Sequence, residues 1–358
     1  VESDQYTIEV EKLHKRYGRV DAVNGISFGV QKGQIVGFLG PNGAGKSTTM
    51  RVLTGYTRAT SGFARICGIP VASHPHEIKR RIGYMPENNP LPMELRVCEY
   101  LKWRAKLKEL PSRHRSQRVD EVMERCDLTR AQNRIIGKLS KGFRQRVGIA
   151  DAILAYPEVI IMDEPTIGLD PHQVIMIRDL IASLRGKMSV IISSNILPEL
   201  EMTCDQIIII NGGKIVGKGT PDELRDTFID STTYQIEIAG PVEELENVLR
   251  NTNTHSDIVR QYSPDNTGFY NVDIRIQSRE DFGETLFAKL AMASGLRARS
   301  LRRKPAPLEQ VFIAATRRSW ETVDEDLAAK SASRQAAPEL GDENPHHRAA
   351  RPRKLNEE

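Results

Sequence analysis

Cysteine is scarce. The four cysteines in 358 residues, Cys67, Cys98, Cys126 and Cys204, are scattered, with no C-x-x-C pair and no neighbouring histidine cluster. That spacing argues against a disulfide framework or a thiolate metal centre, and predicts four reduced, partly buried thiols. Long apolar runs are missing too. The longest candidates, around Val159 to Met162 and Ile207 to Ile210, have strand length and charged flanks, far short of the roughly 20 residues that cross a bilayer. Val1-Glu2-Ser3-Asp4 lacks the basic-then-apolar pattern of a signal peptide, so a cytoplasmic protein is expected. A net charge of +4 is small for this length and does not point to nucleic acid. No internal repeat is found.

What is present describes a folded chain with a normal core: 39% apolar and 27% charged residues. The length predicts two domains. Alternating strand and helix signals run from about Tyr6 to Asp226, with a charged, helix-periodic stretch from about Glu94 to Thr129 that reads as a separate lobe. Asn211-Gly212-Gly213-Lys214 suits a hairpin turn. From Thr232 to Arg317 the order is strand, helix, strand, strand, helix, strand, helix, which predicts a small ferredoxin-like α+β domain. The predicted boundaries are 5–228, with the helical lobe at about 88–138, then 232–317. Residues 319–358 are rich in Ala, Glu, Arg, Asn and Pro and lack Ile and Phe, so a disordered tail is expected there. His346-His347 in that tail carries no metal reading.

The most informative stretch is Gly40-Pro41-Asn42-Gly43-Ala44-Gly45-Lys46-Ser47-Thr48. It matches G-x-x-x-x-G-K-[ST], the loop that wraps a nucleotide's phosphates. The buried-strand run Ile35 to Leu39 precedes it, and Ser47 to Leu53 can open a helix. Glycines let the backbone curl so that successive N–H groups point inward, and the helix N-terminus adds partial positive charge. Lys46 would reach the β- and γ-phosphates, and the Ser47 hydroxyl would ligate Mg²⁺. Farther on, Val159-Ile160-Ile161-Met162-Asp163-Glu164 is an apolar strand ending in two acids. Asp163 would hold Mg²⁺, and Glu164 would orient and deprotonate an attacking water.

With Leu139-Ser140-Lys141-Gly142-Phe143-Arg144-Gln145-Arg146 upstream and Pro165-Thr166-Ile167-Gly168-Leu169-Asp170 downstream, the chain resembles the ABC ATPases from about Tyr6 to Leu224. The resemblance implies a P-loop ABC ATPase domain with an inserted helical lobe. It implies ATP and Mg²⁺ as ligands, Tyr17 stacking on adenine, and Ser140 and Gly142 touching the γ-phosphate bound by a second subunit. Asp170 would communicate across that dimer, which is a homodimer or a pair with a related ATPase. Ile82-Gly83-Tyr84-Met85-Pro86-Glu87, Leu139-Ser140-Lys141-Gly142 and Leu308-Glu309-Gln310-Val311-Phe312 resemble the ATP-binding subunits of ABC-2-type exporters, of the gliding-motility, drug-export and polysaccharide-export kind. These imply a separate polytopic membrane permease docking at the helical lobe near Glu87, and a location on the inner face of the membrane.

Three positions depart from the family pattern. Lys141 and Phe143 replace residues of the commonest signature, Leu-Ser-Gly-Gly-Gln, and both changes are mild. Glu87 stands where many relatives carry a Gln that senses Mg²⁺ and the attacking water, and its charge is expected to alter metal affinity. Asn195 stands where the family has a His that contacts the γ-phosphate. Asn keeps an amide donor but cannot become cationic, so slow hydrolysis is expected. The alternative is a regulatory ATP-binding module that leaves catalysis to a partner ATPase. A nucleic-acid or ribosome factor is disfavoured by the single phosphate loop and the lack of a long coiled-coil insertion. The basic cluster Arg297, Arg299, Arg302, Arg303 and Lys304 reads as a solvated strand face.

Overall fold

A computed structural model describes residues 6–250, 255–278 and 280–317. The tail expected over 319–358 lies outside the described residues. The chain opens with two long strands, β1 (Tyr6–Tyr17) and β2 (Val20–Gln31), paired antiparallel with Val10 opposite Phe28. Next come β3 (Ile35–Leu39), α1 (Lys46–Leu53), β4 (Ser61–Ile66), β5 (Ile69–Pro70), α2 (Pro75–Arg81) and β6 (Ile82–Met85). The lobe contains α3 (Val97–Leu107), α4 (Ser112–Arg125) and the start of α5 (Lys141–Ile153). Then follow β7 (Val159–Asp163), α6 (Pro171–Ala182), β8 (Ser189–Ser194), α7 (Leu197–Thr203), β9 (Gln206–Asn211), β10 (Lys214–Gly219) and α8 (Pro221–Phe228).

Two sheets build this part. One is antiparallel in the order β2-β1-β4-β5. The other runs β10-β9-β3-β8-β7-β6, parallel except for the edge strand β10. Every residue of β3, β7 and β8 is buried, as expected for parallel strands covered on both faces. Phe28 of the first sheet meets Phe38 of the second edge-on, with ring centroids 5.0 Å apart. Such a pair adds about 1 kcal/mol to the burial itself. β9 and β10 form the hairpin expected at Asn211 to Lys214.

The lobe is fastened to the sheet through α5. Arg118, almost fully buried, donates from Nε to Leu154 O at 3.0 Å and from its terminal nitrogen to Ile153 O at 2.6 Å. A cation at the last carbonyls of a helix opposes its dipole. Arg104 pairs with Asp151 at 2.8 Å on the same helix. These contacts fix the tilt of α5, whose N-terminus carries the signature residues.

The second fold unit contains β11 (Thr232–Ala239), α9 (Val242–Arg250), β12 (Ser256–Gln261), β13 (Tyr270–Ile276), α10 (Gly283–Met292) and β14 (Arg297–Lys304). Its sheet is antiparallel in the order β12-β13-β11-β14, the ferredoxin-like arrangement expected from the element order. It has its own core around Tyr234, Ile236, Val272, Ile274, Leu286 and Leu290. The basic residues of β14 face acids: Arg299 pairs with Glu237 at 2.9 Å and Lys304 with Asp273 at 3.1 Å. The last helix, α11 (308–317), behaves differently from the expectation that it completes the small unit. Leu308, Val311 and Ala315 join the core of the first unit, with Leu200 and Leu224. A Leu-x-x-Val-x-x-x-Ala stripe is amphipathic, and it buries its apolar face in the core of the first unit rather than in that of the small sheet.

Candidate functional site

The phosphate loop lies at the carboxyl edge of the parallel sheet, between β3 and α1, where open α/β sheets take their ligands. Two glycines are required by space. A Cβ at Gly40 would stand 2.3 Å from Ile210 O, and one at Gly45 would stand 2.5 Å from Ala22 O. Gly45 also has φ 108°, a conformation that L side chains rarely adopt. No side chain caps the start of α1, and its first residues, Lys46, Ser47 and Thr48, line the cavity beside the loop.

Lys46 curls back over this loop. Its Nζ donates to Gly40 O at 2.6 Å and approaches Pro41 O at 3.4 Å, and it lies 3.5 Å from Glu164 Oε1. Both side chains are less than a tenth exposed. A desolvated ammonium is costly unless partnered, and these oxygens offset that cost.

Glu164 follows the last residue of β7 with φ 51°, a left-handed conformation. For a residue with a Cβ this costs roughly 1–2 kcal/mol. Ser193 on β8 holds it there. The Glu164 N–H donates to Ser193 Oγ at 2.9 Å and to Ser193 O at 3.2 Å, and the same hydroxyl donates to Asp163 Oδ1 at 2.5 Å. One fully buried serine therefore positions both acids. Burial pushes the Glu164 carboxyl above the usual glutamate range. Lys46 opposes this, Asp163 adds to it, and the Asn195 backbone N–H opposes it.

A cavity of about 300 Å³ joins these parts. Asn42, Gly43, Gly45, Lys46, Ser47, Thr48, Glu87, Glu164 and Asn195 line it, so nine of the sites named from sequence are brought together. Asn195 is exposed just beyond β8. Ala44 is turned away: it is buried in the core, its N–H donates to Pro41 O and its carbonyl accepts from Gly213. Asp163 lines an adjoining groove of about 1310 Å³, which shares Glu87 with the cavity. Tyr17 stands at the end of β1, outside the residues lining the cavity, with Lys15 Nζ 4.8 Å over its ring.

Ser140, Gly142 and Asp170 form a separate place in the fold. Ser140 caps α5 through Phe143 N, and Asp170 caps α6 by accepting from Gln173 N at 3.0 Å. A Cβ at Gly142 would meet Gln173 Oε1 at 2.1 Å, and one at Gly168 would meet Lys141 Nζ at 2.5 Å. The start of α5 thus packs tightly on the loop that leads from Glu164 into α6. None of the three lines the phosphate-loop cavity.

The sequence reading missed Ser193, Thr166 and Glu199. Ser193 carried a signal, because serines closing an apolar, fully buried strand need a polar partner. Thr166 Oγ1 donates to Glu199 Oε2 at 2.5 Å, which links the segment after Glu164 to α7. That pairing joins segments that follow two neighbouring strands, 33 residues apart in the chain, and leaves no mark in local sequence.

Residues 23–167 match the profile of the ABC transporter family. The Nod factor export ATP-binding protein I of Burkholderia lata is 32% identical over 324 residues, covering 88% of this chain and 98% of that protein. The linearmycin resistance ATP-binding protein LnrL of Bacillus subtilis is 31% identical over 313 residues, covering 87% and 99%. The bacitracin transport ATP-binding protein BcrA of Bacillus licheniformis is 40% identical over 220 residues, covering 61% and 71%. Among solved structures, an ATP-binding subunit of an ABC transporter superposes with TM-score 0.58 at 31% identity, covering 62% of this chain and 93% of that one. A dimeric bacterial ABC transporter cassette follows at TM-score 0.55 and 25% identity, covering 60% and 98%. The phosphate loop, the paired acids of β7 and relatives matched along nearly their whole length lead to one assignment: this chain belongs to the ABC transporter family, as an ATP-binding ATPase subunit of the kind found in export and antibiotic-resistance systems.

Proposed function

We propose that this chain hydrolyses ATP slowly to power an ABC-2-type exporter. The observation that carries the reading is the cavity in which the phosphate loop, Lys46, Glu164 and Asn195 converge. The N–H groups of the loop and the Lys46 ammonium bind the ATP phosphates, with Lys46 exchanging its carbonyl contacts for phosphate oxygens. The donor set near the loop consists of hard oxygens, the Ser47 hydroxyl and the carboxylates of Asp163 and Glu87, which suits Mg²⁺ held by few protein ligands together with phosphates. When bound, Mg²⁺ supplies charge neutralisation at the phosphates. Glu164 accepts a proton from the attacking water as the water oxygen bonds to the γ-phosphorus and the bond to the β-γ bridging oxygen breaks, giving ADP and phosphate. Its raised pKa makes it a better base than an exposed glutamate.

Asn195 supports the slow rate. Its backbone N–H reaches Glu164, which any residue would do, while its side chain has no ring to carry charge toward the γ-phosphate. The same observation favours the second reading, a regulatory module paired with a catalytic ATPase. In either case two copies, or this chain and a related ATPase, sandwich ATP head-to-tail. Ser140 and Gly142 at the start of α5, and Asp170 beside them, face the partner's nucleotide; their separation from the chain's own phosphate loop supports this. Tyr17 stacks on adenine at the mouth of the site.

The groove beside Glu87 takes a segment of the membrane permease at the inner face of the membrane. Exposed Trp103 and Tyr56, with Leu91 and Leu95, give it an apolar wall next to Glu87. Among the described residues, no helix is long and apolar enough to cross a membrane, so a separate subunit supplies the path. Co-purification of a polytopic membrane protein with the chain, lost on Trp103→Ala, tests this docking. Retention of the partner in the variant, or a partner held elsewhere, argues against it.

A further inference from the structure

Arg225 on α8 is nearly buried and joins three separate segments. Its Nε donates to Ala306 O at 2.8 Å, on the linker that returns from β14 to α11. One terminal nitrogen pairs with Asp222 at 2.7 Å on its own helix, and the other pairs with Glu201 on α7. Two residues before Glu201 on the same short helix, Glu199 accepts from Thr166 beside Glu164. Two polar contacts therefore converge on α7, one from the small unit's exit and one from the segment that carries the acid, and the backbone of that short helix joins them. Asn195 lies between β8 and α7, so α7 also sets where that residue stands.

Packing at the junction concentrates on this path. Among the described residues, the small unit's core contains none from the first unit, and a cleft of about 590 Å³ opens between Asp226, Ile229, Thr232 and the Arg303–Pro305 segment. Leu308 and Val311 of α11 belong to the same apolar cluster as Leu200 of α7 and Leu224 of α8. A guanidinium suits such a place, because its planar fork presents donors in fixed, divergent directions to a carbonyl and two carboxylates on different segments, where an ammonium offers a single point charge.

We infer that Arg225 is a positioning residue for hydrolysis: it ties the small unit's return linker to α7, and through Glu199 and Thr166 it holds the Glu164 segment and Asn195 in register. The small unit thereby sets the turnover rate without touching nucleotide. This inference rests on the reading of Glu164 as the base.

Steady-state Mg-ATPase measurements on the full chain test it, using Arg225→Ala, Arg225→Lys, Thr166→Ala, the Arg225→Ala/Thr166→Ala double variant and Glu164→Gln. Arg225→Ala is expected to lower kcat about three- to tenfold, the size typical of coupling through a packed network. KM for ATP should change by less than about twofold, because the phosphate loop is untouched. Arg225→Lys should recover part of the loss, and the double variant should be no slower than the slower single, as members of one path are non-additive. A wild-type kcat in Arg225→Ala overturns the inference. So does a multiplicative double variant, or a loss that only follows the folded fraction in a thermal melt. Should Arg225→Ala not fold, Arg225→Lys and Glu201→Gln carry the same test, with kcat lowered at constant KM expected and unchanged kcat overturning it. If Glu164→Gln itself turns over normally, the reading of the base fails first. If Glu164→Gln is inactive and Arg225→Ala is normal, only the role of Arg225 fails.

Discussion

The Lys46 ammonium lies 3.5 Å from the Glu164 carboxylate with both side chains buried, and Ser193 holds Glu164 in a left-handed backbone conformation. On the proposed function, the pair sets the cation that would grip phosphate against the base that would activate water. A triphosphate that draws Lys46 onto its own oxygens frees Glu164 from its partner, so binding and readiness for hydrolysis are linked through one contact.

Glu164→Gln should reduce kcat by at least about 10²-fold while leaving ATP affinity nearly unchanged, because general-base catalysis supplies roughly 10²–10⁴. It should also change stability in a defined direction. The folded-state pKa of Glu164 is raised above its unfolded value, chiefly by burial. Its contribution is therefore fully present below the unfolded pKa and lost as pH rises through the folded one. Thermal melts should show Glu164→Gln more stable than the parent at neutral pH, with the gap closing toward acid. A gap that widens toward acid would contradict the assignment.

The same raised pKa shapes the rate profile. The acid limb of kcat should fall above the range of an ordinary glutamate, since Glu164 must be deprotonated to accept a proton. Stopped assays across pH 4 to 8 check this, and a flat profile down to the usual glutamate range would argue against Glu164 as the base.

Ser193→Ala removes the hydroxyl that Asp163 and the Glu164 N–H share. The Glu164 N–H keeps the Ser193 carbonyl, but leaving the buried Asp163 Oδ1 without its donor costs about 1–3 kcal/mol. Denaturant midpoints should fall accordingly, and the Mg²⁺ concentration for half-maximal rate should rise because Asp163 loses its orientation. A stability loss with no change in Mg²⁺ dependence would make Ser193 a purely structural residue.

Gly45→Ala places a Cβ 2.5 Å from Ala22 O at φ 108°. Strain plus overpacking should destabilise the chain by roughly 2–4 kcal/mol and abolish ATP binding in whatever folds. Isothermal titration against ATP, beside a chemical melt, reads both effects.

Much of this was legible from residues alone where a local pattern carries the chemistry. The phosphate loop, the acids after an apolar strand and the Asn211 to Lys214 hairpin are each contiguous and each have a physical signature. The ferredoxin-like order of β11 to β14 followed from alternation of the two periods. What was not legible depends on distant packing. α11 continues the small unit in sequence but buries Leu308, Val311 and Ala315 in the first unit, a choice set by which apolar surface lies within reach. Ala44 sits inside the phosphate motif yet faces the core, where its backbone is tied to Pro41 and to Gly213 of the distant hairpin turn, while its neighbours on both sides line the cavity. Ser193 and the Thr166–Glu199 bond join strands and helices about thirty residues apart, a separation that local pattern reading does not span.

Asn195→His should raise kcat about tenfold or more. A preorganised donor to developing charge is worth roughly 10²–10³ in rate, and Asn keeps part of that contact.

The most direct test of the account is the steady-state Mg-ATPase rate of the purified full chain beside Asn195→His and Glu164→Gln. Slow but measurable turnover in the parent, faster turnover in Asn195→His and none in Glu164→Gln is the result the account predicts, that of a catalytic subunit with a damped switch. A parent that binds ATP yet is as inactive as Glu164→Gln would contradict it, and would move hydrolysis to a partner ATPase.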